Sequence, residues 1–278
     1  MIKIIADTTS GLPLDLARQH GIAMLPQIVI FGENSYRDDT EIDTETFLTK
    51  LKASSILPKT AAPPPVLYHP IFQAALEKGE TVIVIAPSAK ISGTVRSVQT
   101  AAADFRDLRV HVIDAQTIAG NTATLALLAA QWAAEGADVD SVLARLAAMI
   151  ANQHTYFLVD TLEYLKKGGR IGGAKALLGK LLQVKPILQI KDGQVQPFDQ
   201  ERTKKRALAR LINIVSEQAG ASAAAHLSVM HIDAREDAEM LTQTFAEQLS
   251  IPTPPIYILP PAIGVHAGPK ALAVGFFV

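Results

Sequence analysis

Four short β-branched runs, each closing on a small polar group, constrain this chain more than any other feature. They are Ile2–Ala6 ending at Asp7, Thr81–Ala86 ending at Pro87-Ser88, Val110–Ile113 ending at Asp114, and Tyr156–Val159 ending at Asp160. A helical stretch follows each run. Two of these are Ala-rich, Asn121–Glu135 and Ser141–Asn152, with Asn121 and Ser141 as their expected N-caps. A strand that is apolar at successive positions is buried on both faces. Alternated with helices, such strands form a parallel sheet covered on both sides. The expected fold class is therefore α/β, with an N-terminal parallel sheet and helices on both of its faces.

The rest of the chain modifies that pattern. Ala23–Phe31 reads as a strand, but Pro26 interrupts it and points to an edge strand or a hairpin outside the main sheet. Thr44–Lys52 reads as a helix capped by Thr44, and Ser54–Pro65, with its four prolines, as an ordered loop. Beyond Asp160 the order changes. Val184–Ile190 and Gln194–Phe198 flank the hairpin turn Lys191-Asp192-Gly193. A basic helix (Thr203–Gln218), a strand (Leu227–Ile232), a helix (Ala234–Leu249) and two strands (Pro255–Leu259, Leu272–Phe277) follow. This order predicts a C-terminal mixed sheet with helices on one face. The change falls in the Gly-rich stretch Asp160–Gly173, dividing the chain into domains 1–160 and 161–278.

A length of 278 residues suits two such domains. The chain is 49% hydrophobic and only 19% charged, enough apolar side chain for a large core and for the lining of an internal cavity. A net charge of −1 without a block of like charge argues against non-specific nucleic-acid binding. With no cysteine, disulfides, thiolate catalysis and cysteine-ligated metals are excluded. The apolar start before Asp7 is too short for a signal-peptide core, and the longest apolar run, Ala123–Ala134, is well below the ~18 residues of a membrane span. A soluble, cytoplasmic chain is the expectation.

Candidate chemistry gathers in four places. Ile91-Ser92-Gly93-Thr94 follows a strand and opens a helix, where free N–H groups and the dipole favour an anion. Gly93 admits a ligand close to the backbone. Ser92 either donates to that ligand or only caps the helix. Asp7-Thr8-Thr9-Ser10-Gly11 lies at the carboxyl end of the first strand, where open α/β sheets bind ligands. Lys167-Gly168-Gly169-Arg170-Ile171-Gly172-Gly173 is not a Walker motif, and Gly179-Lys180 is followed by Leu181 in place of Ser or Thr. In that turn Arg170 meets either an anion or a structural carboxylate. Gly264-Val265-His266-Ala267-Gly268-Pro269 reads as a loop presenting His266, either to an anion or to a structural partner. The other six histidines have no metal spacing, no Gly-x-Ser-x-Gly motif exists, and no acid/base pair stands out. No catalytic residue and no metal or other cofactor is expected.

Taken in order, these segments resemble the DegV family. The matches are Ile5-Ala6-Asp7-Thr8-Thr9-Ser10, then Ile30-Phe31-Gly32-Glu33-Asn34-Ser35-Tyr36-Arg37-Asp38, Lys59-Thr60 before the Pro-rich loop, Ile91-Ser92-Gly93-Thr94 and Val112-Ile113-Asp114. The most specific block runs from Asp160-Thr161-Leu162-Glu163-Tyr164-Leu165-Lys166-Lys167-Gly168-Gly169-Arg170-Ile171 to Lys185-Pro186-Ile187-Leu188; His266-Ala267-Gly268-Pro269 is the last. The resemblance implies two α/β domains with the ligand between them, and a long-chain fatty acid as that ligand. It implies that Thr60 and Ser92 hold the carboxylate, with help from Arg170 and His266. Some family members are the lipid-binding subunits of bacterial fatty acid kinase, so it also implies an ATP-dependent kinase partner that phosphorylates the bound acid. The Glu201-Arg202-Thr203-Lys204-Lys205-Arg206 stretch is the densest basic patch. It is either a solvated helix start or a docking surface in which Arg202 steers that partner.

Two departures from the family pattern stand near the head group. Thr60-Ala61-Ala62-Pro63-Pro64 replaces Thr-Ser-Gln-Pro-Ser, and the serine pair upstream of Ser92 is reduced to Ser88-Ala89. The alternative to a carrier is an enzyme acting on a small phosphorylated or carboxylated substrate at the same strand ends.

Overall fold

The structure is a computed structural model that describes residues 1–178, 184–220 and 226–278; Gly179, Lys180 and Leu181 lie outside the described residues. The N-terminal half contains β1 (Ile2–Asp7), α1 (Leu14–Gln19), β2 (Ala23–Leu25), β3 (Ile28–Phe31), β4 (Asn34–Arg37), α2 (Thr44–Ala53), β5 (Lys59–Ala61), α3 (His69–Glu77), β6 (Thr81–Ala86), α4 (Thr94–Ala102), β7 (Val110–Asp114), α5 (Gly120–Ala134) and α6 (Val139–Ala151). The remainder contains β8 (Gln153–Leu158), α7 (Glu163–Lys167), β9 (Lys185–Lys191), β10 (Gln194–Glu201), α8 (Lys204–Ala219), β11 (Ser228–His231), α9 (Arg235–Leu249), β12 (Ile256–Ile258), α10 (Pro261–Ala267) and β13 (Leu272–Phe277).

The first sheet has the order β2-β1-β6-β7 and is parallel throughout. Its strands bury both faces, as their continuous apolar sequence requires. Ile5, Val82 and Val84 pack with Tyr68 and with Phe72 of α3 and Val98 of α4. Ile4, Ala6, Ile83 and Ile85 point the other way, into the cluster that contains Ala123, Ala126 and Ala129 of α5.

The second sheet has the order β10-β9-β8-β13-β11-β12 and is mixed: only β11 and β12 run parallel. Along β13 the side chains alternate. Leu272, Val274 and Phe276 pack against α8 and α9, whereas Ala273 and Phe277 face the cluster around α5. Helix α5 is thus the layer shared by both sheets, which explains why its sequence is apolar or small on nearly every side. Its approach to the second sheet is close. A Cβ on Gly120 would sit 2.5 Å from Ser228 Oγ and 2.8 Å from Met230 Sδ.

Four expectations are corrected. The Tyr156–Val159 run, read as the fourth strand of the first sheet, is β8, which pairs antiparallel with β13 and β9 in the second. Asn121 does not cap α5; its Nδ2 donates to the His154 carbonyl at 3.0 Å and to Thr155 Oγ1 at 3.2 Å, tying the helix to β8. Ser141 and Thr44 are not caps either. Asp138 accepts from Ser141 N and Asp43 from Thr46 N, both at 2.7 Å, so in each helix an upstream carboxylate, favoured by the positive helix end, takes the cap. Finally, Ser54–Pro65 is not loop throughout, because Lys59–Ala61 pairs antiparallel with β3.

Pro26 splits Ala23–Phe31 as its missing N–H requires. β2 joins the first sheet, and β3 joins β4 and β5 in a three-stranded antiparallel sheet outside it. The Lys191-Asp192-Gly193 turn forms as read, with Asp192 at φ 50° and Gly193 at φ 72°.

Candidate functional site

At the carboxyl ends of β1 and β6 the two sheets part around a cleft of about 110 Å³. Thr60 reaches it from β5, its register set by pairing with Val29 of β3. Ser92 and Gly93 lie in the turn between β6 and α4. Arg170 follows α7, and His266 stands on the last turn of α10. All five line the same cleft. Most of the remaining lining is apolar, including Ile118, Phe157, Ile190, Leu259 and Ile263, so a few polar groups converge on an otherwise apolar cleft.

His266 corrects one expectation, because the segment read as a loop is largely helix. Gly264 sits inside α10, where a Cβ would come 2.6 Å from Phe47 Cε1 and 2.7 Å from Ile232 Cδ1. Gly268, at φ 75°, ends the helix. The His266 Nε2 lies 2.8 Å from Thr60 Oγ1, while its Nδ1 is buried without a partner. Burial, with the Arg170 charge nearby, pushes the imidazole down to about 4, so it is neutral at physiological pH. With its proton on Nε2 it donates to Thr60 and leaves the threonine hydroxyl free to donate to an anion.

Arg170 meets no structural carboxylate among the described residues. Its Nε donates to the Ile91 carbonyl at 3.0 Å and its Nη1 to the Gly168 carbonyl at 2.7 Å. These neutral acceptors fix the guanidinium but do not balance its charge, and half-burial lowers its pKa. Ser92 is not the N-cap of α4, a position held by Gly93. The Ser92 hydroxyl accepts from Thr94 N at 3.3 Å and lies 3.0 Å from Thr94 Oγ1.

Behind Ser92 lies a buried polar cluster. Asp7 accepts from Thr9 N at 2.9 Å, from the Thr9 hydroxyl, from Thr94 Oγ1 at 2.7 Å and from Gln27 Nε2 at 2.7 Å. Asp38 accepts from Thr8 Oγ1 at 2.7 Å and Gln27 N at 2.8 Å, and its Oδ2 is buried without a partner. Thr9 and Gln27 also line the cleft. Gln27 is the site residue the sequence reading missed. Its signal was positional: it follows the Pro26 break at the carboxyl end of a parallel strand, where such sheets place ligands.

Arg202 is not brought to this cleft. With Arg206, Gln200 and Glu201 it lines a separate surface groove. Thr203 caps α8 by accepting from Arg206 N at 3.3 Å, and Lys204 is paired with Asp237 at 2.5 Å. Among the described residues no cluster of His, Asp and Glu could hold a metal ion, and no helix is long and apolar enough to cross a membrane.

A family model described as uncharacterised protein, DegV family, matches residues 1–278. A DegV domain-containing protein of Clostridium perfringens is 33% identical over 279 residues, covering 99% of this chain and 98% of its own. Among solved structures, a DegV family protein from Thermus thermophilus described by its fatty acid binding superposes with a TM-score of 0.92 at 31% identity, covering 99% of both chains. A fatty acid binding DegV family protein from Streptococcus agalactiae superposes at 0.90 and 26% identity, covering 100% of this chain and 98% of its own.

Proposed function

The chain belongs to the DegV family, and we propose on that premise that it is a carrier of one long-chain fatty acid. The tail lies in the apolar cleft and the carboxylate at its mouth, between the Thr60 and Ser92 hydroxyls and the Arg170 guanidinium. The observation that carries the proposal is the Arg170 charge, held by two carbonyls and balanced by no carboxylate among the described residues, in the wall of a mostly apolar cleft. A ligand with an anionic head and a long apolar tail satisfies both features at once. Solved relatives described as fatty acid binding support the same ligand class.

The energetics suit this division of labour. Each buried CH₂ contributes roughly 0.8 kcal/mol, so a C16 tail supplies on the order of 10 kcal/mol gross, reduced by several kcal/mol of association cost. Hydrogen bonds to a charged head, ~1.5–3 kcal/mol each, fix orientation and select for a carboxylate. His266, neutral and engaged with Thr60, orients that hydroxyl and is not placed as a base. The chain therefore has a carrier's role, and chemistry on the bound carboxylate falls to a separate ATP-dependent kinase, which implies a cytoplasmic location. Mass spectrometry of ligand extracted from the purified protein tests the proposal: a long-chain fatty acid supports it, and a sugar phosphate or nucleotide overturns it.

A further inference from the structure

The carboxylates behind the head-group site have no role in simple anion binding, since negative charge so close to a carboxylate opposes it. They are nevertheless wired to it. Asp7 is 1% exposed and, while ionised, accepts only, so in that state the Thr94 hydroxyl must spend its single proton on Asp7 Oδ2. Thr94 Oγ1 then receives Gln27 Nε2 at 3.0 Å and, at 3.0 Å, the Ser92 hydroxyl. The proton that Ser92 needs for a ligand therefore points inward, towards Asp7, while the pair is ionised.

Resting on the fatty-acid proposal above, we propose that Asp7 is a positioning residue that acts through Thr94 on Ser92, and that the Asp7–Asp38 pair takes up a proton from solvent as the carboxylate docks. With that proton on Asp7 Oδ2 and the Asp38 charge beside it holding it there, the chain of donors reverses. Asp7 donates to Thr94, Thr94 to Ser92 and Ser92 to the ligand, so that each hydroxyl donates outward and each is polarised by the one behind it. The incoming charge thereby replaces a charge on the pair.

The surroundings favour uptake at this pair. Burial raises both carboxyls, and the Asp7 charge helps push Asp38 up to about 7. The titratable groups facing them do not supply the missing cation. Tyr68 is itself pushed up, first by burial and then by Asp7. Asp39, on the adjoining turn, pairs with Arg37 at 2.8 Å and keeps that guanidinium to itself. Across the cleft stand Arg170, held by its two carbonyls, and neutral His266. No salt bridge reaches Asp7 or Asp38 among the described residues, and Asp38 Oδ2 is open to a proton.

Calorimetric titration with laurate, monomeric and fully ionised at pH 7.5, in buffers of differing ionisation enthalpy counts the protons. The wild type is expected to take up about half a proton or more per laurate. Asp38→Asn is expected to bind laurate with uptake largely abolished and a flatter dependence of Kd on pH. Thr94→Val, which keeps the shape and removes the relay hydroxyl, is expected to weaken binding about tenfold with Asp7 and Asp38 intact. Laurate binding with no buffer dependence, or equal uptake in Asp38→Asn, overturns proton coupling and leaves the carrier proposal standing. Unchanged affinity in Thr94→Val overturns the positioning role. Absence of laurate binding in the wild type instead counts against the fatty-acid proposal itself.

Discussion

Gly168 leaves room for the His266 imidazole: a Cβ built on it would sit 3.0 Å from Cε1 and overlap Nδ1 outright. The backbone of Gly168 is in an ordinary helical conformation, so the glycine serves space and not φ. Gly168→Ala is therefore expected to push the ring off Thr60, weakening fatty-acid binding about tenfold and costing ~1–3 kcal/mol of stability. Gly169→Ala is the matched control. Gly169 has φ 72° and open space around its Cβ position, so that change costs ~1–2 kcal/mol in backbone strain and leaves affinity unchanged. Fluorescent fatty-acid titration with urea unfolding separates the two.

If the proposed head-group site is right, Arg170 sets a preference for an acid over a neutral head. Arg170→Gln keeps a polar, planar side chain but removes the charge. Wild-type protein is expected to bind palmitate far better than hexadecanol, and Arg170→Gln to shrink that ratio about tenfold or more, from ~1.5–3 kcal/mol of charged hydrogen bonding. Competition titration of the acid against the alcohol measures the ratio directly.

These residues differ in how far the sequence disclosed them. Thr60, Ser92, Arg170 and His266 were legible because each sits in a short motif whose order along the chain resembles one family, and the cleft gathers all four. The strand runs were equally plain. What could not be read was partnership. Tyr156–Val159 is apolar in succession whether it lies in the parallel sheet or the mixed one, and only its pairing with β13, far along the chain, decides. Asn121 has a capping side chain, but a carbonyl of β8 outcompetes the helix end for it. Gln27 belongs to no motif, and its contacts with Asp7 and Thr94 exist only once three segments meet.

Asp38 makes stability fall as pH rises. Its folded pKa, about 7, lies above the ordinary 3.8, so between those values the folded state holds more proton than the unfolded one. Stability from this group is present in full below the ordinary value and is lost as pH rises through about 7, with a slope of at most ~1.4 kcal/mol per pH unit. Asp38→Asn is expected to flatten ligand-free urea stability between pH 6 and 8.

His266 acts in the opposite sense. Its folded pKa of about 4 is below the ordinary 6.5, so the unfolded state binds the extra proton in that interval. Stability is present above the ordinary value and is lost as pH falls towards 4, again with a slope of at most ~1.4 kcal/mol per pH unit. His266→Gln is expected to remove that part of the acid slope, read by urea unfolding at pH 4.5 and pH 7.

Arg202 stands apart from the cleft, in a groove shared with Arg206. Lying outside the cleft makes it a poor candidate to touch the proposed ligand, while its exposure suits the proposed docking of an acidic partner or the phosphates of that partner's nucleotide. Thr203 caps the helix beside it and Lys204 is already paired with Asp237, so within this basic stretch those two have structural work and Arg202 has none evident. Arg202→Ala is therefore expected to leave fatty-acid affinity and thermal stability unchanged. With a cognate kinase it is expected to slow acyl-phosphate formation, with a deficit that grows as salt is lowered, because screening otherwise hides the lost charge. Phosphorylation at the wild-type rate across that salt series removes Arg202 from the docking surface.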